Sequence, residues 1–125
     1  MFPIRPTLFA AAFALVPALA GAADVVYEID PTHTYPSFEA DHMGLSFWRG
    51  KFNTSSGRIV LDREAGRGSV DVAIDIASID FGNDELNVHA RAAELFDAGK
   101  YPQAHYRGRL GGFVDGAPTR VDGSL

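Results

Sequence analysis

From residue 24 onward, apolar and polar side chains alternate in short runs, and glycine, proline or acidic residues punctuate the gaps. A period of two sends successive side chains to opposite faces, so each run predicts a strand with one buried face. The clearest run is residues 69–77, where Val70, Val72, Ile74 and Ile76 alternate with Asp71, Ala73 and Asp75. β-Branched residues at that spacing predict a half-buried antiparallel strand. Residues 25–29 predict an earlier strand, ended by Asp30-Pro31 because proline offers no backbone donor. Residues 37–43 place Phe38, Ala40 and His42 on one face and Glu39 and Asp41 on the other. In residues 48–52, Trp48, Gly50 and Phe52 oppose Arg49 and Lys51, and residues 58–62 turn Ile59 and Leu61 inward. Residues 103–110 set Tyr106 and Leu110 against Arg107 and Arg109, and residues 119–125 begin a further strand.

One segment departs from this period. Across residues 83–98, Leu86, His89 or Ala90, Ala93, and Phe96 or Asp97 fall near helical spacing. Asn83 or Asp84 can cap the start, and Gly99 stands where a left-handed C-terminal residue belongs. The reading is one short crossover helix, with a break near Arg91, in an otherwise all-β domain. About seven short strands at regular intervals, antiparallel by pattern, predict a barrel or a sandwich. There is no internal repeat, linker or low-complexity tract.

Residues 1–23 read differently. Arg5 precedes an apolar run from Leu8 to Leu19, followed by Ala20-Gly21-Ala22-Ala23. The run falls short of the roughly 20 residues a bilayer span needs. It predicts a secretory signal peptide cleaved after Ala22 or Ala23, leaving residues 24–125 as one periplasmic or secreted domain. About 100 residues suffice for one modest core, and no cysteine is present to staple it. Eleven Lys and Arg against sixteen Asp and Glu give a formal charge of −5, or −6 once Arg5 is lost. That balance argues against nucleic acid and against an anionic membrane surface as partner.

The candidate chemistry is sparse. His33, His42, His89 and His105 lack the spacing of a zinc site, so no metal ligand set is assigned. His105 falls on the polar face of its strand, whereas His42 shares a face with Phe38 and Ala40 and is expected to be an interior histidine. No serine sits in a nucleophile elbow, and no glycine-rich loop opens a helix to cradle phosphate. No catalytic residue is assigned, and the chain does not read as an enzyme. The aromatic residues carry more information: Phe38, Trp48, Phe52 and Tyr106 join the inward aliphatic row. A packed core and a barrel wide enough for one slender ligand both show this pattern.

The stretch Tyr27-x-Ile29-Asp30-Pro31-x-His33-Thr34, Phe38-x-Ala40-x-His42-Met43-Gly44, Trp48-x-Gly50-x-Phe52 resembles the opening of the YceI family. The likeness continues through Ser69-Val70-Asp71-Val72, Ser78-Ile79-Asp80, Leu86-Asn87-x-His89, Leu95-Phe96-Asp97 and Tyr101-Pro102-x-Ala104-x-Tyr106-x-Gly108. Asn87 stands where many members have Asp, and Ala92 where Ser is common. Family members usually continue further, so the chain looks like a member whose barrel is incomplete at the C-terminus. The resemblance implies an antiparallel lipocalin-like β-barrel that holds a polyisoprenoid or isoprenoid quinone as carrier or store, with no cofactor. It implies a lipid-lining set of Phe38, Ala40, His42, Trp48, Phe52, Ile59, Leu61, Val70, Val72, Ile74, Ile76 and Tyr106. An apolar lipid is then the partner, with room for transient membrane contact and a homodimer. The alternatives are a hydrolase acting on an amphipathic substrate through His42 and His89, and a packed module with no ligand.

Overall fold

The computed structural model describes residues 24–125, and the leader expected over residues 1–23 lies outside the described residues. Eight strands form in chain order: β1 (Val25–Glu28), β2 (Ser37–His42), β3 (Ser46–Phe52), β4 (Ser55–Asp62), β5 (Arg67–Asp75), β6 (Ile79–Asp80), β7 (Gln103–Gly111) and β8 (Arg120–Ser124). One helix, α1 (Asp84–Arg91), crosses between β6 and β7. Every pairing is antiparallel, in a five-stranded sheet of order β1-β4-β5-β7-β8 and a three-stranded sheet of order β2-β3-β6. Among the described residues the two sheets do not close on one another. The all-β antiparallel reading with a single crossover helix is the observed fold, in the form of an incomplete barrel.

The sheets are parts of one bent hairpin. β3 and β4 are nearly continuous, interrupted only at Asn53 and Thr54, and their partners β6 and β5 are separated only by a 3-10 turn at Ile76–Ser78. At the bend the Asn53 N–H donates to the Ser78 carbonyl at 3.0 Å, and the Thr54 N–H donates to Ser78 Oγ at 3.0 Å. The Asp75 N–H donates to the Thr54 carbonyl at 3.1 Å. Strands that switch sheets through such a corner are how small sandwiches and barrels turn. The core lies inside this corner: Phe52, Ile74, Ile76, Ile79 and Ala90 are buried together, with Phe38, Val72, Phe81, Ala98 and Ala104 packed against them.

Three expectations change at the corner and after it. Ile76 was expected to extend the strand of Val70, Val72 and Ile74, but Asp75 caps the 3-10 turn by accepting from the Ala77 N–H at 2.9 Å. The side chain of Ile76 is still buried, because the turn folds it back into the corner. The helix ends at Arg91, at the expected break, and residues up to 98 form turns instead of a second helical stretch. Its N-terminus is capped as expected by Asn83, which accepts from the Leu86 N–H at 3.0 Å, and Asp84 and Glu85 complement the positive end of the dipole. Gly99 does not provide a left-handed cap: the C-cap residue Ala92 is extended at φ −68°, and the left-handed residue Asp97, at φ 45°, belongs to the turns that follow. Asn87 joins helix to corner, accepting from the Phe81 N–H at 2.7 Å and donating to Asp80 at 3.3 Å. An aspartate at 87 would instead set two carboxylates against each other.

Asp62 closes the β4–β5 turn. Its buried carboxylate accepts from the Ala65 N–H at 2.9 Å and from Arg67 at 2.9 Å, and these donors hold its pKa below the ordinary carboxylate value. Asp80 is held low by the Gly82 N–H, and Asp30 by the Thr32 hydroxyl. A depressed folded-state pKa stabilises the protein above the unfolded value of about 3.9 and is lost as pH falls through the folded value. The fold is therefore expected to be insensitive to these three groups from neutrality down to about pH 4 and to weaken below it. Asp62→Asn should lower stability at pH 7 and flatten the acid limb, as followed by denaturant melts at several pH values. An unchanged acid limb in Asp62→Asn would show that Asp62 carries none of this dependence.

Candidate functional site

An apolar cleft of about 490 Å³ opens between the two sheets beside the corner. One wall comes from the small sheet, with Phe38 on β2 and Phe52 on β3; the other comes from Ile74 on β5 and Ala104 on β7, which stand opposite in register. Ile76 lies at the base, and the turns after α1 supply Leu95, Phe96 and Tyr101. Ser37, Gln103 and the Tyr101 hydroxyl are the polar side-chain groups in a lining that also includes Pro36 and Leu125.

The small-sheet wall is an aromatic cluster. The Phe38 ring lies 5.7 Å from Phe52, 5.6 Å edge-on to Phe81 and 6.4 Å from Phe96, while Phe52 meets Phe96 edge-on at 6.0 Å. These separations and tilts suit the ring quadrupoles. The cluster needs glycine at 50, because a β-carbon there would come within 2.7 Å of the Phe38 ring and 2.9 Å of Phe81. Phe52, Ile74 and Ile76 are buried, but Leu95, Phe96 and Tyr101 at the mouth remain substantially exposed. The cleft is thus closed at its base and open at its rim.

Of the residues expected to line a ligand, Phe38, Phe52, Ile74 and Ile76 meet in this cleft. Val72 packs behind them against the core. Ile59, Leu61, Val70 and Tyr106 share the inner face of the large sheet farther along: Ile59 stands opposite Val70, Leu61 opposite Gly68, and Tyr106 opposite Val72. Ala40, His42 and Trp48 share the inner face of the β2–β3 hairpin, but beyond the cleft and exposed. His42 is therefore not an interior histidine; its ring meets Trp48 edge-on at 5.9 Å near the hairpin tip. Leu95, Phe96, Tyr101 and Ala104 had not been assigned to the lining. Three of these lie on irregular turns without periodicity, and only their place in the Leu95-Phe96-Asp97 and Tyr101-Pro102 motifs could have drawn attention to them.

Among the described residues the polar groups do not assemble into catalytic machinery. His42 lies on the hairpin and His89 in the last turn of α1, and among the described residues neither ring hydrogen-bonds to a carboxylate or hydroxyl. Asp30, Thr32 and His33 do cluster, with His33 Nδ1 2.7 Å from Asp30 and 2.9 Å from Thr32 Oγ1. Both contacts fall on the same ring nitrogen, whereas a base that activates a hydroxyl needs the carboxylate on one nitrogen and the hydroxyl on the other. Among the described residues no group of three or more His, Asp or Glu could hold a metal. A second hollow, of about 470 Å³, lies on the outer face of the large sheet between Arg58, Asp71, Arg107, Arg109 and Asp122. Arg107 pairs with Asp71 at 3.2 Å and Arg120 with Asp122 at 3.0 Å, so that face is a solvated ion-pair lattice unsuited to an apolar chain.

Comparison with known proteins places this architecture. A family model described as "YceI-like domain" matches residues 27–125. A UPF0312 protein of Vibrio parahaemolyticus is 35% identical over 108 residues, covering 83% of this chain and 57% of that protein. A UPF0312 protein of Vibrio campbellii is 36% identical over 107 residues, covering 82% and 57%. One from Shewanella denitrificans is 31% identical over 93 residues, covering 74% and 49%. The chain thus spans about half the length of these relatives. With the family model spanning nearly all of the described fold, the chain belongs to the YceI-like family.

Proposed function

We propose that the protein is a non-enzymatic, exported lipid binder that holds a long apolar chain, of the polyisoprenoid or isoprenoid-quinone class, in the cleft between its sheets. The observation that carries this reading is the lining: aromatic and aliphatic side chains around about 490 Å³, with polar groups confined to Ser37 and Gln103 and the Tyr101 hydroxyl. That volume falls within the range of small-molecule pockets. Membership of the YceI-like family supports the ligand class.

The energetics favour a long, featureless ligand. Each methylene removed from water is worth about 0.8 kcal/mol, so one five-carbon isoprene unit contributes on the order of 4 kcal/mol before the costs of immobilisation. A few such units outweigh those costs without a directional contact. Such a site suits a carrier or store, because nothing in the lining attacks the ligand.

Organic extraction of the purified full chain, followed by mass analysis, is expected to recover a stoichiometric apolar lipid. Ala104→Trp projects an indole into the cleft from β7 and should lower the bound lipid at least tenfold with the fold intact by circular dichroism. Recovery of no apolar lipid, with no uptake of an added long-chain polyprenol, would refute the reading. So would full loading of Ala104→Trp.

A further inference from the structure

We propose that the tip of the β2–β3 hairpin is a membrane-docking element that inserts into the surface of a lipid bilayer and presents the cleft to it. The inference rests on the lipid-binding reading and names where that lipid is exchanged. The tip carries Met43, Leu45 and Phe47 at 82%, 85% and 65% exposure. From His42 to Trp48 the chain has no Asp, Glu, Lys or Arg. An uncharged, apolar loop on a protein of net charge −5 is suited to entering a bilayer surface rather than to attracting an anionic one.

The tip is built rather than loose. Met43 and Gly44 have φ values of 59° and 72°, the positive values of a primed β-turn, and the Leu45 N–H donates to the His42 carbonyl at 3.1 Å within the loop Met43-Gly44-Leu45 that joins the paired His42 and Ser46. The Asp41 carboxylate accepts from the Gly44 N–H at 3.0 Å, which ties the nearest acid to the turn. A methionine held in left-handed backbone is costly, and the position nonetheless carries an apolar side chain. β6 pairs only with Lys51 and Phe52, so the hairpin projects without a third strand beside it among the described residues. The projection from Gly50 to the turn is roughly 15 Å at 3.3 Å per residue, more than the 5–10 Å depth at which interfacial elements bury.

A bilayer suits this surface better than a second protein. Phe47 points to the outer face opposite Asp41, Trp48 to the inner face opposite Ala40, and Met43 and Leu45 lie at the end, so the apolar surface surrounds the tip. Three side chains on a tip offer a few hundred Å², short of the roughly 800 Å² per partner of a stable protein interface. The inner face also leads back to the cleft: Trp48 stands opposite Ala40, and Phe38, opposite Gly50, is itself part of the cleft wall. A chain leaving the bilayer at the tip would meet apolar surface along this route. Trp48, at the border between tip and hairpin, has the amphipathic ring favoured at membrane interfaces.

Trp48 is the chain's only tryptophan and reports on the tip directly. The full chain is mixed with phosphatidylcholine vesicles, with or without acyl-brominated lipid. The parent should co-sediment with little dependence on salt, and bromine should quench Trp48 emission. Met43→Asn, Leu45→Ser and Phe47→Thr combined should lower the vesicle partition coefficient at least tenfold. Met43→Asn alone, in a turn that asparagine fits, should lower it about threefold without disturbing the fold. Undiminished partition of either variant would overturn the proposal, as would binding of the parent without quenching, which would locate contact elsewhere in the chain. Self-association without vesicles that the variants abolish would assign the tip to a second copy instead. In vesicle-free buffer the variants should retain a preloaded polyprenol like the parent; loss of retention by the parent would sink the cleft reading and leave docking standing.

Discussion

Ile74→Asp is expected to abolish folding. The Ile74 side chain is 8% exposed within the cluster of Phe52, Ile76, Ile79 and Ala90, and its register partners are Ser55 on β4 and Ala104 on β7. A carboxylate there would be buried without a partner, at a cost of several kcal/mol against a typical total stability of about 5–15 kcal/mol. Asp71→Asn on the same strand is the control: Asp71 lies on the outer face and pairs with Arg107 at 3.2 Å in solvent. Such a pair contributes at most about 1 kcal/mol. Urea melts of the two variants decide the matter, and equal destabilisation would mean that the faces of β5 are reversed.

Gly57→Ala is expected to rank next, although it adds a single methyl group. Gly57 sits in β4 at φ 150°, opposite Val72, and a β-carbon there would come within 2.1 Å of the Asp71 carbonyl oxygen and 2.9 Å of the Val72 α-carbon. That oxygen belongs to the backbone of the central strand, so relief requires breaking the β4–β5 ladder. A loss of about 3 kcal/mol or more is expected, from strain and disrupted pairing together. At this chain length it should lower Tm by roughly 10 °C or more. A thermal melt within 2–3 °C of the parent, on the order of half a kcal/mol, would show that the strands part here without cost.

The sequence was most legible where one periodicity extended over a whole strand. Val70, Val72 and Ile74 identified β5 and its buried face because each faces the same interior. The pattern misled at Ile76, where burial persisted while the backbone left the strand; periodicity reports which side chains are covered and not how the chain delivers them. β6, only two residues long, was too short to produce a period at all. At the candidate site the strand-borne half of the lining, Phe38, Phe52 and Ile74, followed from alternation. The half carried by turns, Leu95, Phe96 and Tyr101, did not, because their positions depend on the end of α1 at Arg91 and the left-handed backbone at Asp97. His42 was misjudged for another reason. It does share the inner face of its strand, but the face extends past the core, and alternation alone does not say where coverage stops.

The bent hairpin has a consequence for how the molecule folds. β4 and β5 meet through the short turn closed by Asp62, and the same two chain segments, continued past the corner, pair again as β3 and β6. A hairpin with so local a turn closes on the microsecond scale, of order 1–10 μs. The bonds of Ser78 to Asn53 and Thr54 can form only once pairing has zipped as far as the bend. The β3–β6 pairing is thus nucleated by the large sheet, with no separate search for its register. β7 must find β5 across the whole α1 crossover, and contacts of such sequence separation are slow to form. The wall holding Ala104 is therefore expected to form after the aromatic wall of Phe38 and Phe52. An apolar chain encountered early would find only that first wall, and its grip would accelerate the last step of folding rather than the first.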